Sequence, residues 1–486
     1  MKWKSRILNL KWSALFWLSL PLLGVVFFFV LFASAEESNQ FDEEGKVVFE
    51  SPRPVTVHSS KSLSFRTSTG ASRLSGSFMD WLMKTTDSLM TWEMNPWKRE
   101  WRGVGDHYRR LSESDDPADI ALLAKIRADA RELYEQALER YPELAIEYRN
   151  VPDEENGFLK WLEFSEKFEN EADLIDVIRE SFREGNEAQA KLWLAENREL
   201  MDEVRAIAHL SQQSVAGISA ERQLLLNGSV FLSFQDAFLA EARFAALEGD
   251  VSQALESVQA ARGLTSHVGE VEKKTMISET LRILGELSIG RVVMNEIIPT
   301  LPADEVDLDA WQQAVELRPR SSSEMAEVFR GEWHVSSEAL LFPILVNGED
   351  PQQPSDPADV VDAYSQLFLT IIERNEGEGI MDAESRSFED EAELDFSHLS
   401  YRGEALLAGV SNASQSWERG TMRSRAYAGV HEAAFAIMRG DPIPVDPIYG
   451  LPYDWNPETR ELFAPDTPEL PREFVGSIVV PQIGPE

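Results

Sequence analysis

Cysteine is absent from the 486 residues, which excludes disulfides, thiolate metal sites and thiol nucleophiles together. An exported domain of this composition must rely on its core for stability. Histidine is sparse. Seven occur, at His58, His107, His209, His267, His334, His398 and His431, and no two stand at H-x-x-x-H or H-x-H spacing, so a histidine-based metal site is not indicated. The chain also lacks a G-x-S-x-G elbow, a Walker A loop and a G-x-G-x-x-G turn, leaving hydrolase, nucleotide and dinucleotide chemistry without support. No catalytic, cofactor-binding or metal-ligating residue can be nominated, and the chain reads as non-enzymatic.

Positive charge is the third shortage. Lys and Arg number 46 against 84 Asp and Glu, for a formal charge of −38, and because Lys2, Lys4, Arg6 and Lys11 add +4 within the first 35 residues, the remainder carries −42. Such a surface repels phosphate backbones, so nucleic acid is excluded as a partner. The acid is spread along the chain, the pattern of a solvated outer face.

What is present begins with an apolar run. Residues 14–33, ALFWLSLPLLGVVFFFVLFA, carry no charge and suffice for a helix across a hydrocarbon core of about 30 Å. Four cations precede it and Glu36 and Glu37 follow, so the positive-inside bias leaves residues 1–13 in the cytoplasm and the bulk in the periplasm. This predicts a single-pass inner-membrane protein held through a signal anchor. Ala33-Ser34-Ala35 offers an alternative, cleavage near Ala35 and release as a secreted or periplasmic protein. Both readings export the remainder.

Residues 34–77 are polar and serine-rich and read as a flexible stalk, with Val47-Val48-Phe49 taken as loop rather than strand. Residues 78–440 follow helical periodicity and form the extracytoplasmic body. Its Trp-rich start, with Phe78, Trp81, Leu82, Leu89 and Trp92 near one face, reads as core packing. Asp116-Pro117 supplies an N-cap and first-turn proline for a long helix that Pro142 ends. Further helices are expected around 158–168, 172–183, 186–210, 218–247, 251–263, 270–297, 307–317, 322–329, 358–374 and 421–438, with Glu154 and Glu155 capping the one near Phe158. The Pro-rich stretch 347–357 is the best internal boundary. ARELYEQALERYPEL (130–144) and AEARFAALEGDVSQALESVQAARGL (240–264) resemble single tetratricopeptide hairpins, without a repeating period. The fold class is therefore mainly α, an irregular array of helical hairpins. The acidic loop 373–395 includes Glu389, Asp390, Glu391, Glu393 and Asp395, whose spacing differs from a calcium-binding loop and reads as solvated charge.

The tail, residues 441–486, changes character. It is dense in proline, and the apolar and aromatic residues Tyr453, Trp455, Leu462 and Phe463 flank Asn456-Pro457-Glu458-Thr459, which predicts a small β-hairpin; the last segment supplies one more strand or trails. Asp446, Pro447, Gly450, Pro452, Tyr453 and Trp455 form a candidate structural motif. Asp446 accepts turn N–H groups, Gly450 permits positive φ and the prolines fix φ before the aromatic strand.

These residues, with Pro457, resemble the DPWGxPYxYxxPG signature of the major pseudopilins of type II secretion systems. The match carries one extra residue between Pro447 and Gly450 and lacks a GFTLIE-like processing site. The whole layout resembles large membrane-anchored helical proteins of planctomycete and verrucomicrobial bacteria, through the anchor, VPDEENG (151–157), the EGD…AL hairpin and the closing PxDPxxGxP segment. That resemblance implies architecture and no activity. The expected function is a membrane-tethered cell-envelope scaffold or adaptor with a protein partner. Alternatives are a component of pseudopilin-type secretion or assembly, and an enzyme acting on envelope polymers through carboxylates.

Overall fold

In the computed structural model the described residues are 39–41, 47–49, 110–111, 114–167, 187–224, 228–346, 357–377, 421–467 and 477–482. The apolar run 14–33, the Trp-rich start, the helix expected at 172–183 and the acidic residues 378–395 lie outside them. Between residues 34 and 77, β1 (Asn39–Phe41) pairs antiparallel with β2 (Val47–Phe49), which corrects the loop expectation for Val47-Val48-Phe49. The β-branched and aromatic residues of Val47-Val48-Phe49 suit a ladder once a partner strand is supplied.

Helix α1 (Pro117–Arg140) starts at the predicted cap, where the Asp116 carboxylate accepts from Ala118 N at 2.8 Å. Helix α2 (Gly157–Glu166) is capped by Asn156, not by Glu154 or Glu155. The buried Asn156 amide accepts from Leu159 N and Ser214 N and donates to the Ser214 carbonyl, a double role that a carboxylate cannot fill. The single helix expected over 186–210 is two, α3 (Glu187–Glu196) and α4 (Arg198–Ala208), because Asn197 leaves helical geometry and its amide bonds back to the Trp193 carbonyl at 2.9 Å.

Helix α5 (Ala220–Leu224) is short. Helices α6 (Gly228–Leu247) and α7 (Val251–Gly269) form the hairpin read at 240–264, turning through Gly249 and Asp250, whose carboxylate caps α7 at Gln253 N. Helix α8 (Met276–Val292) begins later than expected because Thr275 and Ser278 form a capping box, and it runs into a π turn at Val293–Ile297. Helix α9 (Leu308–Ala314) precedes α10 (Ser322–Ser336), which continues past its expected end at 329 because Trp333 and His334 are buried. A π turn at 337–341 joins it to α11 (Phe342–Val346). Helix α12 (Pro357–Gly377) follows, and α13 spans 421–439.

Two cores result. The larger is built from α2–α4, α6–α9 and α13, with Trp161 stacked on Phe164 at 5.5 Å and Phe164 edge-on to Phe234 at 5.3 Å. The smaller joins α1, α10, α11 and α12 around Trp333, against which Tyr134 stacks at 5.6 Å. The segment 347–357 connects helices α11 and α12 that share this smaller core.

The C-terminal element is a three-stranded antiparallel sheet in the order β3 (Asp454–Asn456), β4 (Glu461–Phe463), β5 (Ser477–Val479). The predicted hairpin is present, with Trp455 opposite Leu462, and the last segment supplies β5, with Leu462 opposite Ile478. Leu462 and Ile478 are buried in the larger core. In the turn, the Asn456 side chain accepts from Glu458 N, and Arg460 takes φ 55°. The Arg460 guanidinium donates to the carbonyls of Val480 and Pro481 at 2.8 and 2.6 Å, holding the end of the chain onto β4.

The cores are joined by buried charge. Glu279 of α8 is fully enclosed and receives both Arg282 and Arg320. Arg320, just ahead of α10, also donates to the Gly269 carbonyl at the end of α7 at 2.6 Å and pairs with Glu270 and Glu324. One arginine thereby ties α7, α8 and α10. Removing the shared carboxylate leaves two buried cations with diminished compensation. Glu279→Ala is therefore expected to lower the unfolding free energy by about 3–5 kcal/mol in a denaturant titration. Lys125→Ala, which breaks an exposed pair with Asp129 on α1, should change it by less than about 1 kcal/mol. Equal effects from the two variants would refute the central role of Glu279.

Candidate functional site

The tail motif folds as a loop wound about one carboxylate. Asp446 is buried and accepts from Ile448 N at 3.1 Å and Tyr449 N at 2.7 Å, while its backbone N–H donates to the Leu451 carbonyl and its carbonyl accepts from Gly450 N. Gly450 has φ 65°, and Val445 bridges to Pro452 across the loop. The proline-rich sequence thus closes on itself. Tyr453 leads from the loop into β3 and is buried against α13, while Trp455, on β3, lies 5.9 Å beneath the Arg460 guanidinium.

Docking of this loop on α13 depends on Gly429. A Cβ at that position would stand 2.3 Å from the Tyr453 hydroxyl and 2.8 Å from Pro447 Cδ, so only glycine lets the two surfaces meet. The consequence is a cavity of about 460 Å³ where three segments converge. Pro319, Arg320, Ser321 and Glu324 come from the start of α10, Met422 and Arg425 from α13, and Pro447 and Ile448 from the loop. The structure therefore brings Pro447 of the predicted motif to the cavity wall and leaves Gly450, Pro452 and Trp455 to shape its support.

The polar groups of the cavity differ in how far they are engaged. Glu324 accepts from Ser321 N and Ser321 Oγ at 2.7 and 2.8 Å, forming the capping box of α10, and these bonds hold its carboxyl below the usual range against the opposing effect of burial. Arg320 is bound to three carboxylates and a carbonyl, as described above. Arg425 donates one terminal N–H to the Arg320 carbonyl, while its Nε is buried without a hydrogen-bond partner. Burial pulls its pKa down, and the nearby Glu324 charge opposes this only in part. Met422, Arg425 and Gly429 recur at i, i+3 and i+7 along α13, so all three face the loop. That spacing was the available sequence signal for Arg425, but the partner segments, more than 100 residues upstream for Arg320, carry none.

Three histidines and Glu332 are placed as core. His267 is buried between the Gln213 amide at 3.0 Å and the Ile207 carbonyl at 2.7 Å, and His334 between the Tyr134 hydroxyl and the Leu144 carbonyl at 2.6 Å. Burial pushes both down to about 4. His431 of α13 packs 4.6 Å from the Tyr427 ring with neither ring nitrogen hydrogen-bonded, and burial pushes it to about 3. Glu332 of α10 crosses to the start of α8, where it accepts from Met276 N at 2.8 Å, and burial raises it to about 7. Among the described residues no group of three or more His, Asp or Glu could hold a metal ion.

These groups contribute to the pH dependence in opposite directions. Each of these three buried histidines has a lowered pKa in the folded state, so its stabilisation is complete above pH 6.5 and declines as pH falls toward 4. Glu332 is raised, so its stabilisation is complete below about 4.5 and lost as pH rises through 7. Three histidines outweigh the two raised glutamates, Glu332 and Glu286, in the overlapping window, and stability should fall on acidification from pH 6.5 to 4. His431→Gln should reduce the slope of unfolding free energy against pH between 6 and 4 by about 1.4 kcal/mol per pH unit. An unchanged slope in urea titrations would show that His431 titrates normally.

Compared with known proteins, the chain matches no family model, no curated protein and no solved structure.

Proposed function

We propose that the chain is a non-enzymatic adaptor of the cell envelope, tethered through residues 14–33, whose extracytoplasmic helical body receives a segment of a protein partner. The observation carrying this reading is the cavity formed by α10, α13 and the tail loop. Pro319, Met422, Pro447 and Ile448 give it apolar walls, while the Arg425 guanidinium supplies an orienting polar group, the balance by which protein surfaces take up short segments. Its one lining carboxylate, Glu324, is engaged in the α10 cap and is poorly placed to abstract a proton. The tail that forms one wall also leaves Ile443, Val445 and Leu451 exposed.

The run 14–33 and its flanking charges support the location. An alkaline phosphatase reporter fused after Glu486 is expected to be active in intact cells and to lose activity when residues 14–33 are deleted. An active reporter in the deleted form, or an inactive one in the full chain, would overturn the tethering.

Partner uptake is tested by cross-linking. A photoreactive side chain at Ser321, on the cavity lip, should give a discrete protein adduct in membranes, whereas one at Asp129 on α1 should not. Identical adduct patterns at both positions would overturn the adaptor reading.

A further inference from the structure

Arg425 is anomalous in this protein. The chain has 84 acidic residues to 46 basic ones, and the enclosed Arg282 and Arg320 are matched, Arg282 by Glu279 and Glu286 and Arg320 by Glu270, Glu279 and Glu324. Arg425 makes no ion pair among the described residues. Its single hydrogen bond goes to a backbone carbonyl, its Nε is buried and unsatisfied, and it lines a cavity. Arg425 is half-buried at the cavity, where a guanidinium can present two parallel N–H groups to a planar oxyanion.

Resting on the adaptor reading above, we infer that the cavity binds the C-terminal carboxylate of the partner chain, with Arg425 as its counter-ion and the aliphatic last side chain against Met422, Pro447 and Ile448. Three features narrow the ligand. The guanidinium geometry fits a carboxylate in a bidentate manner. Glu324 beside it and Glu270 and Glu279 behind Arg320 disfavour a dianion such as phosphate, so one negative charge matches the one unpaired cation. The apolar walls then require the atoms next to the charge to be hydrocarbon. A terminal residue with a branched side chain meets all three conditions.

The test uses the detergent-solubilised full chain, with N-acetyl-Ala-Leu as probe and its C-terminal amide as control, by isothermal titration calorimetry. The free acid is expected to bind at least tenfold more tightly than the amide. Arg425→Gln should bring the acid to the affinity of the amide, and Arg425→Lys, which keeps the charge but not the planar fork, should recover only part of the difference. The comparison of acid with amide on the unmodified protein stands even where a variant folds poorly. Equal binding of acid and amide, no binding of the acid at millimolar concentration, or competition by inorganic phosphate as strong as by the acid would each overturn the assignment. Octanoate displacing the acid more effectively than unlabelled N-acetyl-Ala-Leu would likewise replace a chain terminus by a lipid. The two readings fail separately. Ser321 adducts without acid preference would leave the adaptor standing and remove the carboxylate site, and acid preference without adducts would do the reverse.

Discussion

The carboxylate of Glu279 is the charge on which the rest of the described structure depends. It sits without solvent contact between Arg282 on its own helix and Arg320 from another segment, and Arg320 carries the interaction onward to the Gly269 carbonyl and to Glu270 and Glu324. Buried ion pairs are poor sources of net stability, because desolvation offsets much of their attraction. Their geometry is demanding, however. An arginine that must satisfy four partners at once fixes the end of α7, the first turn of α8 and the start of α10 relative to one another. The Arg320 carbonyl, held in place by that constraint, is also what positions Arg425 across the cavity. The same network that joins the two cores therefore builds one wall of the candidate site.

A second junction reinforces the first. Glu332 reaches from α10 to the first N–H of α8, so a side chain from the smaller core satisfies a helix end at the edge of the larger. Buried neutral histidines play a comparable part, each ring filling space between helices, with His267 and His334 also bonding backbone carbonyls. A chain without cysteine has no covalent staple, and it uses enclosed polar groups to fix how its helices meet. The accompanying cost is sensitivity to acid, since every such histidine resists protonation.

The tail closes the body by a different device. Asp446 gathers the N–H groups of its loop, Gly450 turns the chain, and Gly429 on α13 leaves room for Tyr453 and Pro447 to seat. Arg460 then secures the final strand through backbone carbonyls. The cavity is the space left where this closure meets the start of α10. Its walls are apolar because they are core-type residues reaching the surface, and its unpaired guanidinium is the feature that packing alone does not explain.

Much of the local structure was legible along the chain, because caps, periodicity and turn chemistry act within a few residues. Asp116-Pro117 opened α1, the Gly249-Asp250 turn set the α6–α7 hairpin, and the Asn456-Pro457 turn gave β3 and β4. Local rules also misled where a distant partner decided the outcome. Asn156 displaced the glutamates as cap because Ser214 awaited its amide, the 186–210 helix broke at Asn197, and α10 outran its expected end to bury Trp333. The sequence by itself determined the helical character, the acidic surface and the cysteine-free chemistry, since each follows from residue type and near-neighbour spacing. Only the tertiary structure decided that α1 shares a core with α10–α12, that Glu279 serves two arginines, and that Arg425 faces a cavity unpaired. Those are matters of which remote segments meet, and burial energy, being non-directional, leaves no mark of its pairings in the order of residues.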